Sequence, residues 1–309
     1  MIDILLATYN GENYLREQLD SIVGQSFKNW RVIVRDDISM DRTSYILQDY
    51  HQRYPDQFII ISDKQENIGI LQNFSLLMQY STASYMVFCD QDDIWLPEKL
   101  LISLNVMKEA ELNNSQLPIL VHSDLTVVDS RLNIVDKSFW HYQNLNPKLD
   151  SFNRLLIQNT VTGCTAMINR KLLTIILPIP QQAIMHDWWI ALVASMFGKI
   201  IIVNQPTVLY RQHGNNDTGA KEWSFVYIVK KAFTILNRID LLRTIKLTQQ
   251  QAKVFYNQFS IQLTGNQKDM ITGYIGLNNK NKLYKVLFLF KHRLLKQGAI
   301  RNIALFLRI

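Results

Sequence analysis

Residues 84–95 read SYMVFCDQDDIW. The apolar run Tyr85–Cys89 has the length and residue types of a buried strand, and it ends directly in Asp90, Asp92 and Asp93. Like charges a few Å apart repel by about 1 kcal/mol in water and by several times that in a drier site. An Asp ahead of WLPEKL can cap a helix start, but capping accounts for one carboxylate and not three. A hard divalent cation, Mg²⁺ or Mn²⁺, cancels the repulsion and takes oxygen ligands, normally one or two carboxylates together with phosphates. The stretch therefore predicts a strand that carries a metal–diphosphate loop at its end.

Upstream, strand-like and helix-like segments alternate. DILLAT (3–8), WRVIVRDD (30–37) and QFIIISD (57–63) are apolar runs, separated by helical spacing in YLREQLDSIVGQS (14–26), DRTSYILQDYHQRY (41–54) and NFSLLMQYS (73–81). Such alternation predicts an α/β fold with a largely parallel sheet covered on both faces. In these sheets ligands bind beyond the carboxyl ends of the strands. The ATYNG loop (7–11), Asp36–Asp37 and Asp90–Asp93 all fall at such ends, so they are expected to line one crevice. Downstream, ILVHSDLTVVD (119–129), VTGCTAMIN (161–169) and KIIIVNQPTVLYRQHGNN (199–216) read as strands, the last running into turns. HDWWIALVASMFG (186–198) reads as a helix with Asp187 in its first turn, where the helix dipole favours a carboxylate.

Composition bounds the rest. At 309 residues, 48% apolar and 19% charged, the chain can bury a sizeable core and is not of the disordered class. Its two cysteines, Cys89 and Cys164, lack CxxC spacing, which argues against a disulfide framework or zinc site and fits a reducing compartment. MIDILLATYNGENY has no basic flank and reads as a first strand rather than a leader, and no run of 18 uncharged apolar residues occurs. The expected location is cytoplasmic. The net charge of +7 conceals an asymmetry: residues 221–309 hold 16 Lys and Arg against 3 Asp and Glu, so the basic tail outweighs an acidic body.

Asp36–Asp37 leave two readings open. With Asp41 they can form a turn or cap, or one of them can accept a ring N–H from a nucleobase. Trp188 and Trp189 are read either as core residues at a helix start or as faces for a sugar or acceptor. Cys164 is read as packing, and Trp95 and Pro97 as supports of the acidic loop.

Taken in order, ATYNG, VRDDISMDRT, ENIGILQNF, FCDQDDIW, HDWW and YRQHGNN resemble the family 2 glycosyltransferases, inverting nucleotide-sugar enzymes with the GT-A fold. The resemblance covers about residues 1–220 and is strongest to bacterial rhamnosyl- and glucosyltransferases of capsule, O-antigen and cell-wall polysaccharides. It implies that Thr8 and Tyr9 line a nucleoside pocket, that Asp37 accepts the N3–H of uracil or thymine, and that Asn67 and Gly69 border base and ribose. Asp90 and Asp92 form the DxD motif, with Asp90 nearer the ribose and Asp92 a direct ligand of Mg²⁺ or Mn²⁺. His213 would contact the metal or diphosphate, and Asp187 stands at the catalytic-base position, preceded by His186 instead of the commoner Glu. Asp93, Trp188 and Trp189 are candidates for sugar or acceptor contacts, and Gly163 for acceptor-side backbone.

The implied division is a GT-A catalytic domain over 1–220, with a nucleotide half (1–100) and an acceptor half (101–220), and a helical basic region over 221–309. The implied reaction moves a sugar, with L-rhamnose a candidate, from a dTDP- or UDP-sugar to a hydroxyl of a polysaccharide or lipid-linked oligosaccharide. WSFVYIVKKAFTILNRIDLLRTIKL and KLYKVLFLFKHRLLKQGAIRNIALFLRI mix apolar residues at helical spacing with Lys and Arg. They are read as packing helices, as a homodimer contact, or as a peripheral contact with an anionic membrane surface. Nucleic acid is disfavoured by the acidic body. Two rivals complete the reading. A nucleotidyltransferase needs an early Gly-rich basic phosphate loop that ATYNGENYLREQ lacks, and a catalytically silent sugar-nucleotide or polysaccharide-binding subunit would not need Asp90, Asp92 and Asp187 together.

Overall fold

The first strand, β1 (Ile2–Thr8), lies between β2 (Trp30–Asp36) and β4 (Tyr85–Cys89), with β3 (Phe58–Ile60) on the outer edge of β2, and all four run parallel. The structure is a computed structural model and describes residues 1–63, 66–113, 116–214 and 238–309. Alternate side chains serve opposite faces, as the pleat requires. Leu5, Ile33 and Phe88 join the core under α3 (Gly69–Tyr80), whereas Ile4, Leu6, Val32 and Val34 join the core under α1 (Leu15–Val23) and α2 (Thr43–Arg53).

One buried carboxylate ties this half together at the amino ends of its strands. Asp3 accepts the Arg31 guanidinium, the Ser81 hydroxyl and the backbone N–H groups of Thr82 and Ala83. Burial alone would push its pKa up, but these donors outweigh burial and hold it below the usual carboxylate value.

The sheet continues from β4 through β8 (Met167–Asn169), β6 (Ile119–Asp129) and β9 (Lys199–Gln212) to β5 (Ile94–Trp95), while β7 (Ile134–Asp136) pairs with β6. β8 is antiparallel to both its neighbours, and β9 is parallel to β6 over a long, twice-shifted register. Parallel ladders carry most of the paired residues, so the fold is an α/β sheet, mostly parallel, flanked by helices, as expected. The connecting helices are α4 (Lys99–Asn113), α5 (Phe139–Tyr142), α6 (Phe152–Leu155), α7 (Arg170–Ile176) and α8 (His186–Phe197).

The C-terminal region is helical: α9 (Arg238–Phe259), α10 (Gly265–Ile275), α11 (Lys282–Lys291) and α12 (Ala299–Arg308). It does not stand apart. Phe255 and Phe259 of α9 pack on Trp189 and Phe197 of α8, with ring centroids 5.8 Å (Trp189–Phe255) and 4.9 Å (Phe197–Phe259) apart, and one apolar cluster runs from the sheet to Leu305 in α12. Among the described residues, no helix is long and apolar enough to cross a membrane. The first segment of the basic tail, WSFVYIVKKAFTILN, lies outside the described residues.

Two expected strands are shorter than their apolar runs. QFIIISD pairs only over Phe58–Ile60, because β3 is an edge strand that meets three residues of β2. In VTGCTAMIN only Met167–Asn169 is strand, and Gly163–Thr165 forms a 3₁₀ turn. That turn frees the Gly163 N–H to donate to Asp187 rather than to a ladder.

Candidate active site

Parallel register sets the ends of β1 and β2 level, with Thr8 opposite Asp36. The Thr8 hydroxyl donates to Asp36 Oδ1 at 2.8 Å, and Ser39 donates its N–H to Oδ2 and its hydroxyl to Oδ1. Asp36 therefore closes the turn. Asp37 faces the other way. Its carboxylate receives Arg35 Nη1 at 2.6 Å, the Ile68 N–H at 3.0 Å and the Gly69 N–H at 2.8 Å, which caps the amino end of α3. Asn67 donates its side-chain amide to the Asp37 carbonyl. Gly69 has a φ of +74°, a left-handed backbone that favours glycine, and a Cβ there would meet open space.

Tyr9 keeps its ring exposed, but its backbone is locked: Gln91 accepts the Tyr9 N–H and donates to the Tyr9 carbonyl, both at 2.9 Å. A side chain on Gly11 would collide with Gln91. The structure thus gathers Thr8, Tyr9, Asp37, Asn67 and Gly69 on one rim and joins it to the acidic loop through Gln91, which the sequence reading passed over.

At the end of β4, Asp92 Oδ2 lies 2.8 Å from His213 Nε2. The His213 ring stacks on Tyr14 at 4.6 Å, and the Arg211 guanidinium lies 4.6 Å from the Tyr14 ring. Arg211 also pairs with Glu17, donates Nε to the Asp92 carbonyl and gives its backbone N–H to Asp93 Oδ1. Asp93 is not a sugar or acceptor contact: it is wholly buried beneath the loop. Its Oδ2 lies among buried atoms without an N–H or O–H partner, and burial first, then the Asp92 and Asp90 charges, push its pKa well above the usual value. Asp90, Asp93 and Cys164 bring one ligand atom each within 4.8 Å of one another.

This donor set fits a hard divalent cation. Carboxylate oxygens such as those of Asp90 and Asp92 suit Mg²⁺ or Mn²⁺, and the His213 imidazole beside Asp92 adds one nitrogen donor. The excess negative charge that lifts Asp93 is the kind a cation relieves.

Asp187 opens α8 and accepts the Trp188 N–H at 2.5 Å and the Gly163 N–H at 3.1 Å, with the Asn159 side chain also donating. Burial nevertheless dominates and pushes its pKa up to about 7, because none of those donors carries a charge. A carboxyl poised there can take a proton at neutral pH. His186 is wholly buried against Phe74, ring centroids 4.0 Å apart, and burial pushes its pKa down to about 3, so the ring is neutral. A Cβ on Gly163 would lie 2.9 Å from His186 Nε2, so the His packs against the backbone that donates to Asp187. Trp188 donates its indole N–H to the Leu155 carbonyl, and Trp189 is a core residue, donating to the Ile176 carbonyl from a wholly buried position. The acceptor contact allowed for Trp189 is thereby removed.

Gly163 and Cys164 connect the two chemistries. The first donates to Asp187, and the thiol of the second lies beside Asp90 and Asp93. The Asp187 carboxyl and the acid cluster thus share one short turn, in a sheet whose Thr8–Asp37 rim lies at the neighbouring strand ends.

A mostly parallel α/β sheet with an acid cluster at a central strand end and a separate half-buried carboxyl matches the arrangement expected of a GT-A transferase. The family model described as "Glycosyl transferase family 2" matches residues 3–176, over half the chain, and the chain belongs to that family. It is a glycosyltransferase. The dTDP-rhamnosyl transferase RfbG of Shigella flexneri is 28% identical over 226 residues, 70% of this chain and 74% of that protein. The putative teichuronic acid biosynthesis glycosyltransferase TuaG of Bacillus subtilis is 27% identical over 252 residues, 80% of this chain and 92% of that one. Among solved structures, S. aureus TarS 1–349 in complex with UDP-GlcNAc aligns with a TM-score of 0.57 at 16% identity, over 99% of this chain and 90% of that one, a likeness of fold.

Proposed function

We propose that this chain is an inverting, metal-dependent glycosyltransferase that takes a dTDP- or UDP-sugar donor, with L-rhamnose the candidate sugar, and a hydroxyl of a polysaccharide or lipid-linked oligosaccharide as acceptor. The observation that carries the reading is the Gly163–Cys164 turn, which sets a carboxyl of pKa about 7 beside the Asp90–Asp93 acid cluster. The names of RfbG and TuaG support a nucleotide-sugar donor and a polysaccharide product.

On this reading the Tyr9 ring stacks on the base, and Asp37 takes its ring N–H. Asp37 Oδ2 accepts one N–H, from Gly69, and a carboxylate oxygen can accept a second. Asn67 and Gly69 flank the base and ribose, and Asp90 lies nearer the ribose. Asp92 and His213 would hold the metal, which when bound stabilises the negative charge of the departing diphosphate. Arg211, stacked on Tyr14, holds this loop in place through the Asp92 carbonyl and Asp93. Asp187 removes the proton from the acceptor hydroxyl as that oxygen attacks the anomeric carbon from the face opposite the leaving group, so configuration inverts. The proton ends on Asp187 Oδ, and the nucleoside diphosphate leaves with the bonding electron pair. Trp188, partly exposed beside Asp187, borders the acceptor.

Nucleotide release from a panel of dTDP-, UDP- and GDP-sugars, with and without EDTA, tests this. Release from a dTDP- or UDP-sugar that EDTA abolishes and Mn²⁺ or Mg²⁺ restores is expected. Release indifferent to EDTA removes the metal, tight donor binding without turnover indicates a silent binding subunit, and pyrophosphate release indicates a nucleotidyltransferase.

A further inference from the structure

The last two helices leave a large apolar surface facing outward. On α11, Leu283, Leu287 and Phe290 are 71%, 60% and 53% exposed and fall at i, i+4 and i+7. On α12, Ile300, Ile303 and Leu307 fall at i, i+3 and i+7 and likewise share one face, with Ile303 56% and Leu307 65% exposed. The two stripes are neighbours, because Phe290 stacks on Phe306 at 4.9 Å. The opposite faces are anchored, with Phe288, Leu289 and Leu305 buried. Six large apolar side chains in two adjacent rows are not the scatter of single residues that soluble surfaces normally show.

Charge decides what covers them. Residues 270–309 contain eight Lys and Arg and no Asp or Glu. Lys280, Lys282, Lys291 and Arg293 are exposed beside the apolar rows. A second copy of this chain meeting the face symmetrically would set cation against cation, since a two-fold interface pairs a patch with itself. A helix with large apolar side chains on one face and flanking Lys and Arg is instead suited to lie in the headgroup region of an anionic bilayer.

We infer that the α11–α12 face docks the protein on an anionic lipid surface, with Leu283, Leu287, Phe290, Ile303 and Leu307 entering the headgroup boundary and the flanking cations meeting lipid phosphates. The docked face is tied to the acceptor side of the site. The Asn153 amide donates to the His292 carbonyl, Arg154 Nη1 to the Leu295 carbonyl, and the Gln297 N–H to Gln158 Oε1. Leu155, next in the chain, holds Trp188 beside Asp187. Docking therefore brings the acceptor half to the membrane surface where a lipid-linked acceptor is held, a consequence that rests on the function proposed above.

The test is flotation of the whole chain with phosphatidylcholine vesicles, with and without phosphatidylglycerol, at low and high salt. Binding to the phosphatidylglycerol vesicles alone, weakened by salt, is expected. Leu287→Ser with Leu307→Ser, and separately Lys282→Gln with Lys291→Gln, should each lower the bound fraction on the order of tenfold. These positions are exposed, so melting temperature should not move. Equal binding to both vesicle types, or variants that float like the parent, overturns the proposal, as does a parent dimer that the Leu variants convert to monomer. Metal-dependent nucleotide release measured without vesicles should be the same in parent and variants. That assay reports on the glycosyltransfer reading alone, so either idea can fail without the other.

Discussion

Two groups of strand-end acids invite comparison. At the end of β2, Asp36 and Asp37 are met by a hydroxyl pair, three backbone N–H groups and the Arg35 guanidinium. At the end of β4, Asp93 receives one backbone N–H through Oδ1, and its neighbours Asp90 and Asp92 add to the negative charge around it. The first pair is compensated by the fold and holds loops in place. The second crowds three acids together with Asp93 buried among them, an arrangement suited to a cation on the function proposed above. Asp187 is a third case: among the described residues its hydrogen-bond donors are neutral, and burial leaves it near 7.

The sharpest way to break this three-way distinction is Asp187→Asn. Loss of a general base lowers transfer by about 10²–10⁴-fold, while donor binding should persist, because the nucleotide rim lies on other strands. The pH profile gives a second handle. The folded pKa is raised, so the protonated, inactive form dominates below about 7, and activity should climb as pH rises through that value. A transfer rate that is flat across neutral pH in the parent, or near-normal in the variant, removes Asp187 as the base.

Next in size is Arg35→Gln, which acts on the compensated pair. Arg35 and Asp37 are both buried, with 2% and 5% of their side-chain surfaces exposed. Removing one partner of a buried pair typically costs about 3–5 kcal/mol, since the remaining charge has no water to turn to. Urea unfolding should show that loss, and the β4 loop should not feel it directly. A variant of unchanged stability but lost donor binding would make Arg35 a ligand contact and blur the distinction between the two strand ends.

Asp92→Asn probes the other side of the comparison. It should weaken Mn²⁺ or Mg²⁺ binding by about 10–100-fold and leave folding stability nearly unchanged or slightly improved, because it relieves charge around Asp93. Calorimetric metal titration and a denaturant curve read the two quantities separately. Substantial unfolding with intact metal affinity would make the DxD loop a structural feature.

How much of this was legible in the sequence follows the range of the interactions. The strands of the first half, the acids at their ends and Asp187 in a helix first turn are written in local patterns of period 2 and 3.6, and each stands where those patterns place it. The Tyr14–His213 stack, the Arg211 anchor and the Gln91 lock are long-range: Arg211 and Glu17 are 194 residues apart in the chain, and Gln91 and Tyr9 are 82 apart. No local pattern carries them. The burial of Asp93, and the choice of core over acceptor face for Trp189, are hidden for a related reason: adjacent residues in a loop or helix start point to different sides, and spacing alone does not say which is inside. The turn at Gly163–Thr165 was read as strand because its Val, Thr and Cys have strand-like character, while the carboxylate that bends it lies 24 residues on.

The smallest expected effect is the finest test of the comparison. In Asp36→Asn, one amide oxygen can still take the Thr8 and Ser39 hydroxyls at the position of Oδ1, whereas the amide nitrogen replaces the Oδ2 that accepts the Ser39 N–H. Two donors then face each other at one contact. The expected loss is about 1–2 kcal/mol of stability, a modest drop in melting temperature, with transfer within a few-fold of the parent when assayed below the transition. Asp36 ends β2 and Asp92 lies in the loop after β4, both at the carboxyl ends of parallel strands of one sheet. If Asp36→Asn lost as much transfer as Asp92→Asn without any change in stability, compensation by the fold would not be what separates a structural acid from a functional one in this protein.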